Sequence, residues 1–363
     1  MPAVCGASGI RTFDRFSEAA MDDPLTSSAR APARYAVGRR AMLAGIAAYA
    51  AVPRGAMAQA GPAPRQPTLP PIRVTLLGTG SPELRMNRFG AATLVQAGGL
   101  NLVFDAGRGC ALRLQQAGLP LGQVNRVFLT HFHSDHLNGF QDLWATSLIR
   151  APYAGRTRPL VVQGPKGTAA IMQGMAQAMA PDIATRIADE HIDPAVTPLL
   201  TQEFDHDGVV FEQDGVRVIA FAVDHGPLIH PAYGYRIEHA GHAVLLSGDT
   251  RPSANLEAHA RDLDLLVHEV CMLSPGMEDD PRAAAIMAHH TTPAQAGQIF
   301  ARVKPRMAVF SHVGQIAWPG FAPVTPAMIL AATRTTYDGP VLVGLDLMRF
   351  DIDRQVGVTN PPA

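Results

Sequence analysis

Short apolar runs recur along the chain, separated by turn residues and by stretches of helical length. IRVTLLG (72–78), AATLVQA (91–97) and LNLVFDAG (100–107) predict three consecutive strands, with breaks at GTGSP and AGG. The spacing then predicts a helix from Gly109 to Ala117, ended by Gly118, a buried strand RVFLT (126–130) and a helix from Ser134 to Arg150. PLVVQGP (159–165) reads as a strand and Gly167 to Ala180 as a helix, followed by a polar, acid-leaning connection.

The second half repeats the alternation. VRVIAFAVDHG, YGYRIEHAG and HAVLLSGDT predict strands, then a helix near Ser253 to Ala260, the strand LDLLVHEV and a helix from about Pro293 to Val303. The strand MAVFSHVG, a helix near Thr325 to Arg334 and the strands VLVG and LMRFDI follow. Two β-rich halves, each accompanied by helices, predict an α/β (α+β) fold of two packed sheets with helices outside.

The first sixty residues break this pattern. Arg39 and Arg40 stand directly before the apolar run Ala41 to Val52, and the small residues Ala56, Ala58 and Ala60 come after it. Charged, then apolar, then small is the order of a secretory signal, and the arginine pair resembles a twin-arginine signal. The run is shorter than the roughly 20 residues that cross a bilayer core. The organisation expected is therefore an export signal over 1–60, a Pro-rich linker over 61–71 and one domain over 72–363. A twin-arginine export machinery would be a partner, and the protein would be periplasmic or otherwise exported.

Composition narrows the chemistry. The chain of 363 residues is 47% hydrophobic with a formal net charge of −1, so no global basic field points to nucleic acid or anionic membrane. Its three cysteines, Cys5, Cys110 and Cys271, form no disulfide framework or metal knuckle. Histidine is the informative residue, with 14 copies, and three of them fall in LTHFHSDHLNG (129–139).

Four strands run into metal-binding side chains: RVFLT into His131 and His133, VRVIAFAVD into His225, HAVLLSG into Asp249 and MAVFS into His312. His131 and His133, two apart in extended backbone, project to one side. Asp135 and His136 follow where a helix begins and reach a neighbouring point. One segment thus supplies two half-sites, and imidazole with carboxylate suits Zn²⁺, with Mn or Fe as alternatives.

GTGSPELRMNRFGAATLV, FDAGRG, LTHFHSDH, SGDT, HHTT and FSHV together resemble the metallo-β-lactamase superfamily, in the branch of ribonuclease Z and zinc arylsulfatase-like enzymes. The resemblance covers about Ile72 to Asp351. It implies an αββα four-layer sandwich of two mixed sheets, with two Zn²⁺ per chain. It places His131, His133 and His225 on the first metal, Asp135, His136 and His312 on the second, and Asp249 between them.

It also implies hydrolysis of an ester bond by water activated between the metals. Asp135 would accept a proton and His290 would supply one to the leaving group. Glu269 would orient His290, and His289 reads as a bystander. Related enzymes are often homodimers. The stretch from Gly167 to Asp224 is short of lysine and carries Asp182, Asp189, Glu190, Asp193, Glu203, Asp205 and Asp207. That is a poor track for RNA phosphates. The expected substrate is therefore a small anionic sulfate or phosphate ester, and the expectation is against nucleic acid. A tRNA 3′ endonuclease and a lactone or carboxyl-ester hydrolase are the alternatives, with an iron redox enzyme or a non-catalytic binding module behind them.

Overall fold

The computed structural model describes residues 69–361. The expected export signal and most of the linker lie outside them. The first sheet has eight strands in the order β15 (Val356–Thr359), β14 (Arg349–Ile352), β1 (Ile72–Gly78), β2 (Ala92–Ala97), β3 (Leu100–Phe104), β4 (Arg126–Phe128), β5 (Leu160–Pro165), β6 (Leu199–Phe204). The second has seven, in the order β13 (Val341–Val343), β12 (Met307–Ile316), β11 (Leu265–Leu273), β10 (His242–Leu246), β9 (Tyr233–His239), β8 (Val216–Ala222), β7 (Gly208–Gln213). Both mix parallel and antiparallel pairs: β3 to β6 run parallel, as do β10 to β13, and hairpins complete each sheet.

The sheets face one another across an apolar core that alternate residues of each strand enter, as the two-residue period of a strand requires. Val74, Leu76, Val95, Leu102 and Phe128 meet Val218, Tyr235, Val244, Val267 and Val309 there. Phe104 stacks on Phe128 at 4.8 Å, and Tyr235 presents an edge to both rings. The opposite face of the first sheet is covered by α1 (Cys110–Gln116), α3 (Phe140–Ser147) and α4 (Thr168–Asp189), which bury Leu114, Phe140, Trp144 and Met172. The opposite face of the second is covered by α5 (Ala254–His259), α7 (Pro293–Val303) and α8 (Pro326–Thr333), which bury Leu256, Phe300 and Ile329. This is the αββα sandwich the strand pattern anticipated.

Several elements differ from expectation. The helix expected over Ser134 to Arg150 is two: α2 (Ser134–Leu137) and then α3, separated at Asn138 and Gly139. A Cβ at Gly139 would lie 2.1 Å from the Gly107 carbonyl oxygen, and one at Gly107 would lie 2.2 Å from that of Asp135. The backbones after β3 and β4 touch here, and that contact breaks the helix and fixes α2 against the sheet.

The helix expected to stop at Ala180 continues through Pro181 to Asp189. Ion pairs from Arg186 to Asp182 and Glu190 brace its last turns. The acid-leaning connection beyond it contains β6 and β7, each at the edge of a sheet. Finally, α6 (Pro281–Met287) packs on the far end of β11. With Met277, Ile316 and Trp318 it forms a small separate core around Cys271.

Candidate metal centre

The site lies at the edge where β4, β8, β10 and β12 end or bend. After β4 the chain bends at Thr130 and reaches His133, the N-cap of α2, with φ −63° and ψ 146°. His131 and His133 thus leave the segment before the helix, whereas Asp135 and His136 leave the first turn of α2. His225 and Asp249 each follow the last residue of their strand by three positions, in the loops after β8 and β10. Gly248 makes the second of these turns at φ +61°, where a Cβ would meet the Tyr233 carbonyl oxygen at 2.6 Å.

His312 departs from the strand-end pattern, because β12 continues past it to Ile316. Ser311 pairs with Glu269 and Val313 with Val270, so His312 is the extra residue of a bulge, at φ +45°. A bulge re-aims a side chain without ending the strand, and here it turns the imidazole into the cluster.

The structure brings all seven expected ligands together. Ligand atoms of His131, His133, His225 and Asp249 lie within 4.8 Å of one another, as do those of Asp135, His136 and His312. The Asp249 carboxylate stands between the two sets: Oδ2 is 3.8 Å from His131 Nε2, 3.7 Å from His225 Nε2, 3.3 Å from His136 Nε2 and 3.1 Å from His312 Nε2. Asp135 Oδ2 is 3.1 Å from His312 Nε2 and 3.6 Å from His136 Nε2.

Several of these polar atoms lack the partner that burial demands. His131 Nε2, His136 Nε2 and Asp249 Oδ1 are buried without a hydrogen bond. Each such orphan costs about 1–3 kcal/mol unless another group satisfies it. Three orphans pointing into one cluster of imidazoles and carboxylates fit a pair of divalent cations.

Protonation agrees with that fit at His131, His225 and Asp249. At His136 burial works against a charge, but the Asp249 and Asp105 carboxylates outweigh it and hold the imidazole well above its ordinary value, so that it gives up a proton when metal binds. Burial, with His136 nearby, pushes His131 well below the ordinary imidazole value, and burial pushes His225 down to about 4. Both rings are neutral with a lone pair to offer. Burial alone would raise the Asp249 carboxyl, but the His312 and His136 imidazoles hold it well below the usual range. Neutral imidazole and ionised carboxylate are the forms that bind metal.

The outer contacts orient these ligands. His225 Nδ1 donates to the His289 carbonyl at 2.9 Å, which turns Nε2 toward Asp249. His136 Nδ1 meets Asp105 Oδ2 at 2.7 Å, and the same carboxylate accepts from the Thr130 backbone N–H at 2.9 Å and the Thr130 hydroxyl at 2.8 Å. Sequence reasoning missed this role of Asp105 and saw FDAGRG only as a likeness. The available signal was a carboxylate at the end of β3, the parallel neighbour of β4. His289 was read as a bystander, yet its carbonyl fixes a candidate ligand.

Glu269 and His290 do meet. Glu269 Oε1 accepts from His290 Nδ1, Thr250 N and Thr291 N, each at 3.1 Å. Burial works against a charge on His290, but the Glu269 carboxylate prevails and pushes it up to about 9. His290 also groups with Asp249 and His312 within 4.8 Å, so its ring borders the second set. Cys110 and Cys271 are buried free thiols. His268 is buried on β11 with Nδ1 2.7 Å from the Glu269 carbonyl oxygen.

A paired His/Asp centre on the edge of an αββα sandwich defines a metal-dependent hydrolase fold. Residues 100–313 match the Beta-lactamase superfamily domain. The chain is 36% identical over 294 residues to a protein named Ribonuclease Z from Mycolicibacterium gilvum, covering 80% of this chain and 99% of the relative. A Ribonuclease Z from Mycobacterium sp. (strain KMS) is 35% identical over 297 residues, with 80% and 99% covered. The chain belongs to the metallo-β-lactamase superfamily, in its ribonuclease Z branch.

Two solved structures share the fold. The metallo-beta-lactamase fold protein YhfI from Bacillus subtilis superposes with a TM-score of 0.58 at 16% identity, covering 77% of this chain and 99% of that one. Human tRNase Z, short form, superposes with a TM-score of 0.56 at 20% identity, covering 76% and 98%. The curated relatives run against the expectation of a small-ester enzyme that avoids nucleic acid, since these bear the name of a ribonuclease.

Proposed function

We propose that the protein is a two-metal phosphodiesterase of the ribonuclease Z type, hydrolysing a phosphodiester of RNA. The observation that carries this reading is the likeness to proteins named Ribonuclease Z along almost their whole length. It displaces the small-ester reading, and with it the expectation against nucleic acid, from first place.

His131, His133, His225 and Asp249 would hold one cation and Asp135, His136 and His312 the other, with Asp249 shared. Zinc suits this donor set best, and a bound pair supplies an activated water and a clamp on the phosphoryl oxygens. Asp135, beside His312 and His136, takes the proton released as water oxygen bonds to phosphorus. As the bond to the leaving oxygen breaks, His290 hands it a proton. Glu269 holds Nδ1 of that ring, which leaves Nε2 to face the site, and keeps the imidazole charged at neutral pH.

Cleavage of a precursor tRNA, run beside a bis-aryl phosphodiester and an aryl sulfate, tests the proposal. The reading expects both phosphodiesters to be cut and the sulfate to be spared. Hydrolysis of the sulfate with no phosphodiester cleavage would overturn it.

One observation favours a second reading, a small anionic ester hydrolysed outside the cytoplasm. Between Gly167 and Asp224 the described residues form one long helix and three strands, with no protruding basic arm among them. Arg186 is paired with Asp182 and Glu190, and Glu203 accepts from the Gly167 and Ala169 N–H groups at the start of α4. Little cation remains there for an RNA backbone. Activity on the bis-aryl phosphodiester without precursor tRNA cleavage would select this reading.

A further inference from the structure

The cluster is closed on most sides. His131, Asp135, His136, His225 and Asp249 are at most 2% exposed, and His312 is 6% exposed. His133 and His289 are half-buried, and the His290 side chain is 9% exposed. A ligand therefore reaches the centre past these three imidazoles. His133 belongs to the first candidate set, and His290 is tied to Glu269. The ring of His289 belongs to neither set, and its hydrogen bond is to the Ala285 backbone.

Neighbouring groups fix its position. The ring centroid lies 5.1 Å from that of His225, nearly perpendicular at 82°, and 4.6 Å from that of His290. The His225 ring has His133 at 5.1 Å as a second perpendicular neighbour. The loop after β8 turns beneath His289 at Gly226, φ +86°, where a Cβ would come within 3.0 Å of the His289 Cβ. The hydrogen bond from His225 to the His289 carbonyl anchors the backbone, so the imidazole is held beside the entrance.

We propose that His289 is a substrate-contacting specificity residue whose ring N–H donates to a non-reacting anionic oxygen of the phosphodiester. The assignment rests on the phosphodiester reading above. The imidazolium, or the neutral tautomer protonated on the nitrogen away from Ala285, offers an N–H to an anion, and such charge-assisted bonds are among the stronger ones. Lying outside His225, the ring contacts a part of the substrate that does not change during reaction. Binding of that kind lowers KM and leaves kcat nearly alone.

The test compares His289→Ala, His289→Gln and His289→Phe by kcat, KM and metal content on the bis-aryl phosphodiester. Ala and Phe are expected to raise KM about five- to tenfold, the loss of roughly one hydrogen bond, with kcat within about twofold. Gln, which keeps an N–H, restores most of the KM. Metal content stays at wild type in all three, because the anchor to His225 is backbone. An unchanged KM in His289→Ala overturns the proposal. So does rescue by Phe in place of Gln, which makes the ring a packing surface, or loss of metal or of kcat.

Wild-type protein that cleaves only the aryl sulfate sinks the phosphodiester reading, and the same KM pattern on that ester still decides His289. If no ester is turned over, calorimetric binding of a nucleoside monophosphate is the readout, weakened by Ala and restored by Gln. Equal binding by all variants overturns the proposal.

Discussion

Asp105→Asn isolates the support of one candidate ligand without disturbing the fold. Asp105 is buried at φ +58°, a conformation asparagine adopts as readily as aspartate. In the native chain its two oxygens accept three hydrogen bonds, from Thr130 N, Thr130 Oγ1 and His136 Nδ1. An amide keeps one oxygen. Turned toward the Thr130 N–H, it sets its NH₂ against His136 Nδ1, which must then surrender its proton. The proton moves to Nε2, the atom facing Asp249 and the second set. The flipped amide satisfies His136 but opposes the Thr130 N–H.

Either orientation weakens the second cation's hold. Loss of an outer partner of this kind costs about 10- to 100-fold in metal affinity, or about 1.4–2.8 kcal/mol. Calorimetric titration of metal-free protein with Zn²⁺ reads this directly. The second equivalent should weaken by that factor, the first should change by less than about threefold, and the circular dichroism spectrum should stay native. Two equivalents bound with wild-type affinity would refute the claim that Asp105 sets the tautomer of His136.

Other outcomes follow from the same geometry. His131→Ala and Asp249→Ala should each abolish turnover while the chain stays folded, checked by ester hydrolysis beside a thermal melt; retained turnover in either contradicts the two-metal assignment. Glu269→Gln removes the charge that holds His290 at about 9. A raised pKa stabilises the fold fully below the unfolded value of about 6.5 and loses that contribution as pH climbs through 9. Denaturant unfolding of the metal-free variant should therefore show a flatter decline over that window, and an unchanged slope counts against the pair. Burial pushes the Cys110 thiol up to about 12 and that of Cys271 higher still. A Cys5→Ser variant should leave both unreactive to a disulfide reagent at pH 8 until guanidinium is added, and rapid native labelling would contradict their burial.

What could be read ahead of the structure was whatever depends on neighbours along the chain. LTHFHSDH states its own geometry, because a two-residue step in extended backbone and the first turn of α2 settle which side chains share a face. His225, Asp249 and His312 came from strand runs meeting polar residues. That logic was only partly right for His312, since the bulge between Ser311 and Val313 depends on pairing with β11.

Asp105 escaped because its partner lies one strand away, and only the parallel register of β3 with β4 brings the two strand ends together. The break at Gly139 is equally non-local, because it answers to the Gly107 backbone. β6 and β7 were hidden because edge strands with exposed polar residues carry little apolar signal. His289 reads as a bystander because the likeness falls on His290, and its contact with His225 is hidden in a carbonyl, which any residue possesses.

The central claim is that one chain uses two cations, held by seven named side chains, to hydrolyse a phosphodiester. Metal-free protein titrated stepwise with Zn²⁺, with metal content and phosphodiester hydrolysis measured at each step, tests it most directly. The account predicts that activity rises to a plateau at two equivalents per chain and disappears on chelation. A plateau at one equivalent, or two tightly bound equivalents with no phosphodiester cleaved, would contradict it.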